Sequence, residues 1–231
     1  MTAPPRSSVR ARVRAEMTDQ IKQTARRQLA EHGPDISLRA VARDVGVVSS
    51  AVYRYFPSRD DLLTALIVDA YLSLAEAAER AESAVPRRDV LARWMALGRG
   101  IRAWALANRH EYALLYGSPV PGYAAPQDTI EPAARPVLAV MAIIRDALAT
   151  GALVPAPTRL PRAVREDIEQ LSALQGWDGV PAAVFARLMT AWAQLFGAIS
   201  FELFGRLQNA IVDYEAFFDY QWRAMAGHVG L

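Results

Sequence analysis

The side chains best suited to chemistry cluster in one short stretch, VVSSAVYRYFPSRDDLL, residues 47–63. Ser49, Ser50, Tyr53, Tyr55 and Arg59 offer hydroxyls and a guanidinium. Such groups exchange hydrogen bonds and pair with anions, but they do not supply a nucleophile with its base. On a helix over 49–56, Val52 and Phe56 lie four residues apart and share a packing face, so Ser49, Ser50 and Tyr53 turn the other way. Small hydroxyl residues at the start of that helix permit close approach to base edges or phosphates, and Tyr53 and Tyr55 carry hydroxyls at phosphate reach on an apolar stem. Taken singly, each tyrosine also suits plain packing in a small helical bundle.

Bond-making chemistry finds little support. The chain has no cysteine, which excludes disulfides, thiol catalysis and cysteine-ligated metals. His32, His110 and His228 are far apart, and none falls in a metal-ligand spacing such as H-x-x-x-H. The run Asn108-Arg109-His110-Glu111 suits the solvated end of a helix or the polar mouth of a pocket, with an acid/base site as the alternative. The expectation is no catalytic residue, no metal, no cofactor and no enzyme activity.

Charge is informative in its distribution. The net value is +2, yet residues 1–54 hold ten Arg or Lys against five Asp or Glu. Arg6, Arg10, Arg12 and Arg14 precede the first acidic residue, beside Pro4, Pro5, Ser7 and Ser8, so residues 1–15 read as a flexible basic arm suited to a polyanion, or else as a solvated tail. Lys22 is the one lysine among 26 basic residues. That bias has the look of a GC-rich genome, so arginine content alone does not argue for nucleic acid. No run of about 18 apolar residues is uninterrupted and no apolar run follows the first arginines, which points to a cytoplasmic protein with no membrane partner.

The elements that must position the cluster are helices throughout, because no stretch alternates apolar and polar residues long enough for a strand. Ile21, Ala25 and Leu29 recur every four residues until Gly33-Pro34. A second helix begins at Ser37, whose hydroxyl can cap it, and buries Leu38, Val41, Ala42 and Val45 before Gly46. A third runs from Ser49 until Pro57 stops it. Ser58 caps a fourth, with Asp60 and Asp61 in its first turn where the helix dipole favours carboxylates. Longer helices follow at about 88–108, 110–117, 130–150, 162–174, 180–205 and 214–228, with Pro/Gly loops over 118–128 and 151–161. The fold class is all-α, divided as the arm 1–15, a head 16–57, a connecting helix 58–84 and a large helical region 85–231.

Two short helices joined by a tight turn match a helix-turn-helix, whose second helix enters the DNA major groove. Residues 33–63, GPDISLRAVARDVGVVSSAVYRYFPSRDDLL, resemble the N-terminal domain of the TetR (tetracycline-repressor-like) family of transcriptional regulators. The carriers are the Gly ending helix one, the Ser before helix two, the Ala-x-x-x-Gly-Val turn and a Tyr-x-x-Phe-x-x-Arg tail. The resemblance implies a homodimer bound to a palindromic double-stranded DNA operator, with recognition helices about 34–36 Å apart. It implies DNA contacts from Ser37, Arg39, Ser49, Ser50, Tyr53, Tyr55 and Arg59, the last replacing a usual Lys. Val48 departs from the family's Ser or Thr, which leaves the third helix without its usual capping hydroxyl.

The resemblance also implies an effector domain whose last two helices form a dimeric four-helix bundle. Trp94, Trp104, Tyr112, Tyr116, Met141, Trp192 and Phe196 could line a pocket for a small apolar or aromatic effector, or could be core. Leu188, Leu195, Ile199, Phe217 and Trp222 lie on helices apolar on more than one face, which a partner subunit or the same chain must cover. The function implied is a DNA-binding regulator, in repressor form released by ligand. The alternatives are an activator of the same fold, or a helical ligand-binding protein, enzyme or adaptor without regulatory DNA binding.

Overall fold

In the computed structural model, which describes residues 6–155, 158–177 and 179–231, the helices α1 (Arg6–His32), α2 (Leu38–Val45), α3 (Ser49–Val52) and α4 (Arg59–Ser83) come first. Then follow α5 (Val90–Ala107), α6 (Arg109–Tyr116), a short 3-10 turn (Gln127–Thr129), α7 (Ile130–Thr150), α8 (Arg162–Gln175), α9 (Ala182–Leu203) and α10 (Tyr214–Val229). No strand occurs among the described residues. The chain forms two compact units, one of Met1–Tyr71 with Asn108–Pro132 and the other of Leu72–Ala107 with Ala133–Leu231. These limits differ from the sequence boundaries at 57 and 84. The change from one unit to the next falls inside α4, and α6 belongs with the head.

Unit 1 is organised by the fourfold spacing on α1. Ile21, Ala25 and Leu29 are buried together with Leu38 and Val41 of α2, Val52 and Phe56 after the turn, and Leu62 and Leu66 of α4. Polar cross-links fix the helices around this core. The buried Gln28 amide donates to Asp44 at 2.7 Å, and that hydrogen bond holds the Asp44 carboxyl below its ordinary pKa. Arg26 donates to Asp69 on α4 (2.7 Å) and Glu111 on α6 (2.9 Å). Tyr112 is fully buried, with Tyr116 and Tyr71 beside it, and burial pushes the Tyr116 hydroxyl well above its ordinary pKa.

Residues 6–15 correct the flexible-arm expectation: they are the opening turns of α1, in which Arg12 pairs with Glu16 one turn on. No Pro or Gly interrupts 6–32, and Ala and Arg are good helix formers, so propensity overrides the composition that suggested an irregular start. Pro4 and Pro5 lie outside the described residues.

Unit 2 is pinned by a pair of tryptophans. The Trp94 and Trp222 rings stack at 4.1 Å with planes 10° apart, and each indole N–H donates to the other residue's carbonyl, at 3.1 and 2.8 Å. Gly98 makes room for the stack, since a Cβ there would lie 2.2 Å from Trp222 Nε1. Around it run ion pairs that join α5 to its neighbours. Arg93, 2% exposed, donates to Glu82 and Asp146. Arg102 grips Glu202 of α9 with two bonds of 2.8 and 2.7 Å, and Arg99 makes a two-pronged pair with Asp219 of α10. By length and composition α9 is apolar enough to cross a membrane, but its Leu188, Leu195 and Ile199 pack inside unit 2 as core.

Candidate nucleic-acid interface and ligand cavity

The turn between α2 and α3 is built by its glycine. Gly46 adopts φ 83°, ψ 27°, its N–H donates to Arg43 O (3.1 Å), and the next N–H, Val47, reaches back to Ala42 O (3.0 Å). This closes α2 as a Schellman motif, and Val47 packs on the head's core as the motif's hydrophobic contact. A side chain at 46 would meet no atom within 4 Å, so the demand for glycine is conformational, about 1–2 kcal/mol for any other residue.

α3 is shorter than the 49–56 expectation. Its regular part ends at Val52, and turns continue through Arg54 N to Ala51 O (3.2 Å) and Phe56 N to Val52 O (3.0 Å). Pro57 explains the tightening, since the residue before a proline is pushed out of helical geometry. Val48 stands at the N-cap in extended conformation without a side-chain bond, and it is 71% exposed. Ser37 likewise occupies the N-cap of α2, but its hydroxyl makes no capping bond, contrary to the sequence expectation. It remains exposed and available. Ser58 does cap α4: the Asp61 N–H donates to its hydroxyl (3.1 Å), which donates to the Asp61 carboxylate (2.7 Å).

Of the seven residues expected to contact DNA, Ser37, Arg39, Tyr53 and Arg59 line one open depression of unit 1 together with Pro57 and Ser58. Ser50 is exposed and Ser49 half-buried on the first turn of α3. Tyr55 is separate: it is half-buried against the head's core, and the Arg14 guanidinium lies over its ring at 5.1 Å. Arg59 is partly engaged internally. It donates to Pro34 O at 2.8 Å, tying the start of α4 to the loop before α2, and its Nε is buried without a partner. The family resemblance names these positions for DNA, and it does not show that Arg59 braces the head.

Unit 2 contains a cavity of about 380 Å³. α7 supplies Ala134, Val137 and Val140, α8 supplies Leu171 and Gln175, and Trp177 enters from the connection to α9. α9 completes it with Phe185, Leu188, Met189, Trp192 and Ala193. Of the seven expected lining residues only Trp192 is in this wall, with Phe196 edge-on to it at 4.9 Å. Trp94 and Met141 are core, Trp104 is buried with its N–H on Ser73 (3.0 Å), and Tyr112 and Tyr116 belong to unit 1.

The expected dimer residues also need correction. Leu188, Leu195, Ile199 and Trp222 are all buried within one chain, and only Phe217 is half exposed. The open stripe of α9 is a different one, one or two positions from the buried residues: Met189, Ala193, Gly197 and Phe201, joined by Phe204, with Tyr220 exposed on α10. Trp177 escaped sequence reading because it lies in the connection before α9, outside any helical stripe, and Phe185 read as part of one long apolar stripe of α9 rather than as cavity wall.

The head carries a match to the description "Bacterial regulatory proteins, tetR family" over residues 21–66, and residues 94–225 match "Tetracyclin repressor-like, C-terminal domain". The second match alone covers more than half of the chain. The chain belongs to the TetR family of transcriptional regulators. It is therefore an all-α, helix-turn-helix, DNA-binding regulator. Its relatives include the HTH-type transcriptional regulator Rv1816 of Mycobacterium tuberculosis, 41% identical over 220 residues and matched across 92% of each chain. The crystal structure of the regulatory protein SCO4313 is 34% identical, covers 97% of this chain and 100% of that one, and has a TM-score of 0.72. A Rhodococcus sp. RHA1 protein of unknown function is 27% identical, covers 90% and 94%, and has a TM-score of 0.67.

Proposed function

We propose that this TetR-family chain is a homodimeric repressor that holds a palindromic operator until a small apolar or aromatic effector fills the unit 2 cavity. The observation that carries the ligand-released reading is the cavity itself, about 380 Å³ and walled by Trp177, Phe185 and Trp192, within the size range of small-molecule sites. On DNA, Ser50 and Tyr53 meet base edges, and Ser37 and Arg39 meet phosphates. Ser49 and Tyr55 support these contacts, and Arg59 joins through the N–H groups that Pro34 leaves free. Such a protein acts in the cytoplasm, where bacterial DNA lies.

Dimerisation uses the open α9 stripe with its neighbour α10. Phe201 (54% exposed), Phe204 (49%) and Tyr220 (71%) supply apolar area, and Ala193 and Gly197 let a partner helix approach closely. The half-exposed Phe217 lies at its edge.

Genomic footprinting of the purified protein tests the regulator reading: palindromic sites upstream of genes are expected, and their absence would overturn it. Transcription from such a promoter then separates repressor from activator. Removal of the protein raises output in the first case and lowers it in the second. Phe201→Asp should yield monomers by light scattering and lose operator affinity; an intact dimer would move the interface elsewhere.

A further inference from the structure

The cavity's wall limits what can fill it. None of its lining side chains carries a charge, so an ionised group inside would lose its water without gaining a counter-ion. The lining residues with polar side-chain atoms are Gln175, with its amide, and Trp177 and Trp192, each with one indole N–H. Among the described residues these two N–H groups donate to nothing within the chain, whereas the indoles of Trp94, Trp104 and Trp222 all have acceptors. Gln175 is exposed while Leu188 and Val140 are buried, so the apolar interior has one polar end, beside α8.

We infer that the cavity binds an uncharged, largely hydrocarbon molecule bearing one hydrogen-bond acceptor oxygen, such as a ketone, ester or ether, with its apolar body on Trp192, Phe185 and Val140 and its oxygen toward Gln175. This rests on the effector reading of the same cavity. Arg145 is the cation to consider as a rival anchor for an anionic ligand. It donates to Gly176 O at 2.9 Å, next to Gln175, and is outside the lining.

Matched probes test the class: methyl naphthyl ketone against naphthoate ion, with binding followed by quenching of tryptophan emission and by the thermal shift of the full-length protein. The ketone should bind saturably, with naphthoate at least about tenfold weaker at neutral pH, the cost of an unpaired charge in an apolar site. Gln175→Leu should narrow the preference for the ketone over unsubstituted naphthalene, leaving naphthalene binding intact. Ala134→Phe and, separately, Val137→Phe should remove ketone binding with helical circular dichroism unchanged. Naphthoate binding as tight as the ketone, above all if Arg145→Ala abolishes it, would overturn the inference, as would failure of the ketone to bind or binding untouched by both filling variants. Operator affinity measured with the same ketone keeps the two readings apart. Saturable ketone binding that leaves DNA affinity unchanged sinks the effector role and leaves the ligand class standing; release of DNA by naphthoate alone does the reverse.

Discussion

Gly98→Ala should destabilise the protein, although glycine to alanine inside a helix ordinarily adds about 1 kcal/mol of stability. The added Cβ would lie 2.2 Å from Trp222 Nε1, 2.4 Å from Cδ1 and 2.7 Å from Cε2. The indole cannot swing aside freely, because it is stacked on Trp94 and its N–H is committed to Trp94 O at 2.8 Å. Overpacking of this kind costs about 1–3 kcal/mol. Displacing the ring also weakens two buried hydrogen bonds, each worth about 1 kcal/mol, and a stack worth about 0.5–1.5. After subtracting the helix gain, a net loss of about 2–3 kcal/mol follows, which lowers the melting temperature by roughly 4–12 °C for a chain of this size. Calorimetry of wild type, Gly98→Ala, Trp222→Phe and the double variant reads it directly. Because phenylalanine vacates the position of Nε1, Gly98→Ala should cost less in the Trp222→Phe background than alone. A melting temperature that rises in Gly98→Ala, or strictly additive effects, would refute the reasoning.

Arg93→Met should cost up to about 3 kcal/mol in chemical denaturation, since it leaves Glu82 without this cation and Asp146 with Arg87 alone; the figure stays at the low end of the range for a broken buried pair because Arg87 remains and both carboxylates keep some solvent contact. An unchanged midpoint would show that the network is dispensable. Asp219 supplies a pH test. Its carboxyl is held below the ordinary value by hydrogen bonds from Arg99, with Arg102 and Arg223 adding positive charge. A depressed carboxylate contributes stability that is complete above its unfolded value, near pH 4, and is lost as pH falls through the lower folded value. The stability gap between wild type and Asp219→Asn should therefore hold steady near neutrality and close in acid, as denaturant midpoints at several pH values would reveal. A gap independent of pH would contradict it.

The local grammar of the head was legible in the sequence because each signal acts within a few residues: Gly46 for a left-handed turn, Pro57 as a stop, Ser58 as a cap, and the fourfold spacing of Ile21, Ala25 and Leu29. Pairings across the chain were not. Trp94 and Trp222 are 128 residues apart, and nothing in either helix's periodicity says that the two rings stack on one another and serve as core rather than as pocket wall and interface. α9 was misread for a related reason. With apolar residues on several sides, hydrophobicity alone does not tell which stripe faces its own chain, and the open residues Met189, Ala193 and Gly197 lie only one or two positions from the buried Leu188, Leu195 and Ile199. Arg59 was found by motif, but its bond to Pro34 O depends on how the start of α4 meets the loop before α2, a tertiary fact.

The central claim, that the face bearing Ser50, Tyr53 and Arg39 reads an operator, is tested most directly by titrating a footprinted operator and a scrambled duplex with wild type, Tyr53→Ala and Arg39→Ala over a range of salt. Specific binding that weakens with salt is the predicted result. Tyr53→Ala should lose preference for the operator, and Arg39→Ala should weaken both duplexes, with the log–log salt slope shallower by about 0.9 for each phosphate that is no longer neutralised. Operator affinity, preference and salt slope all unchanged in both variants would contradict it.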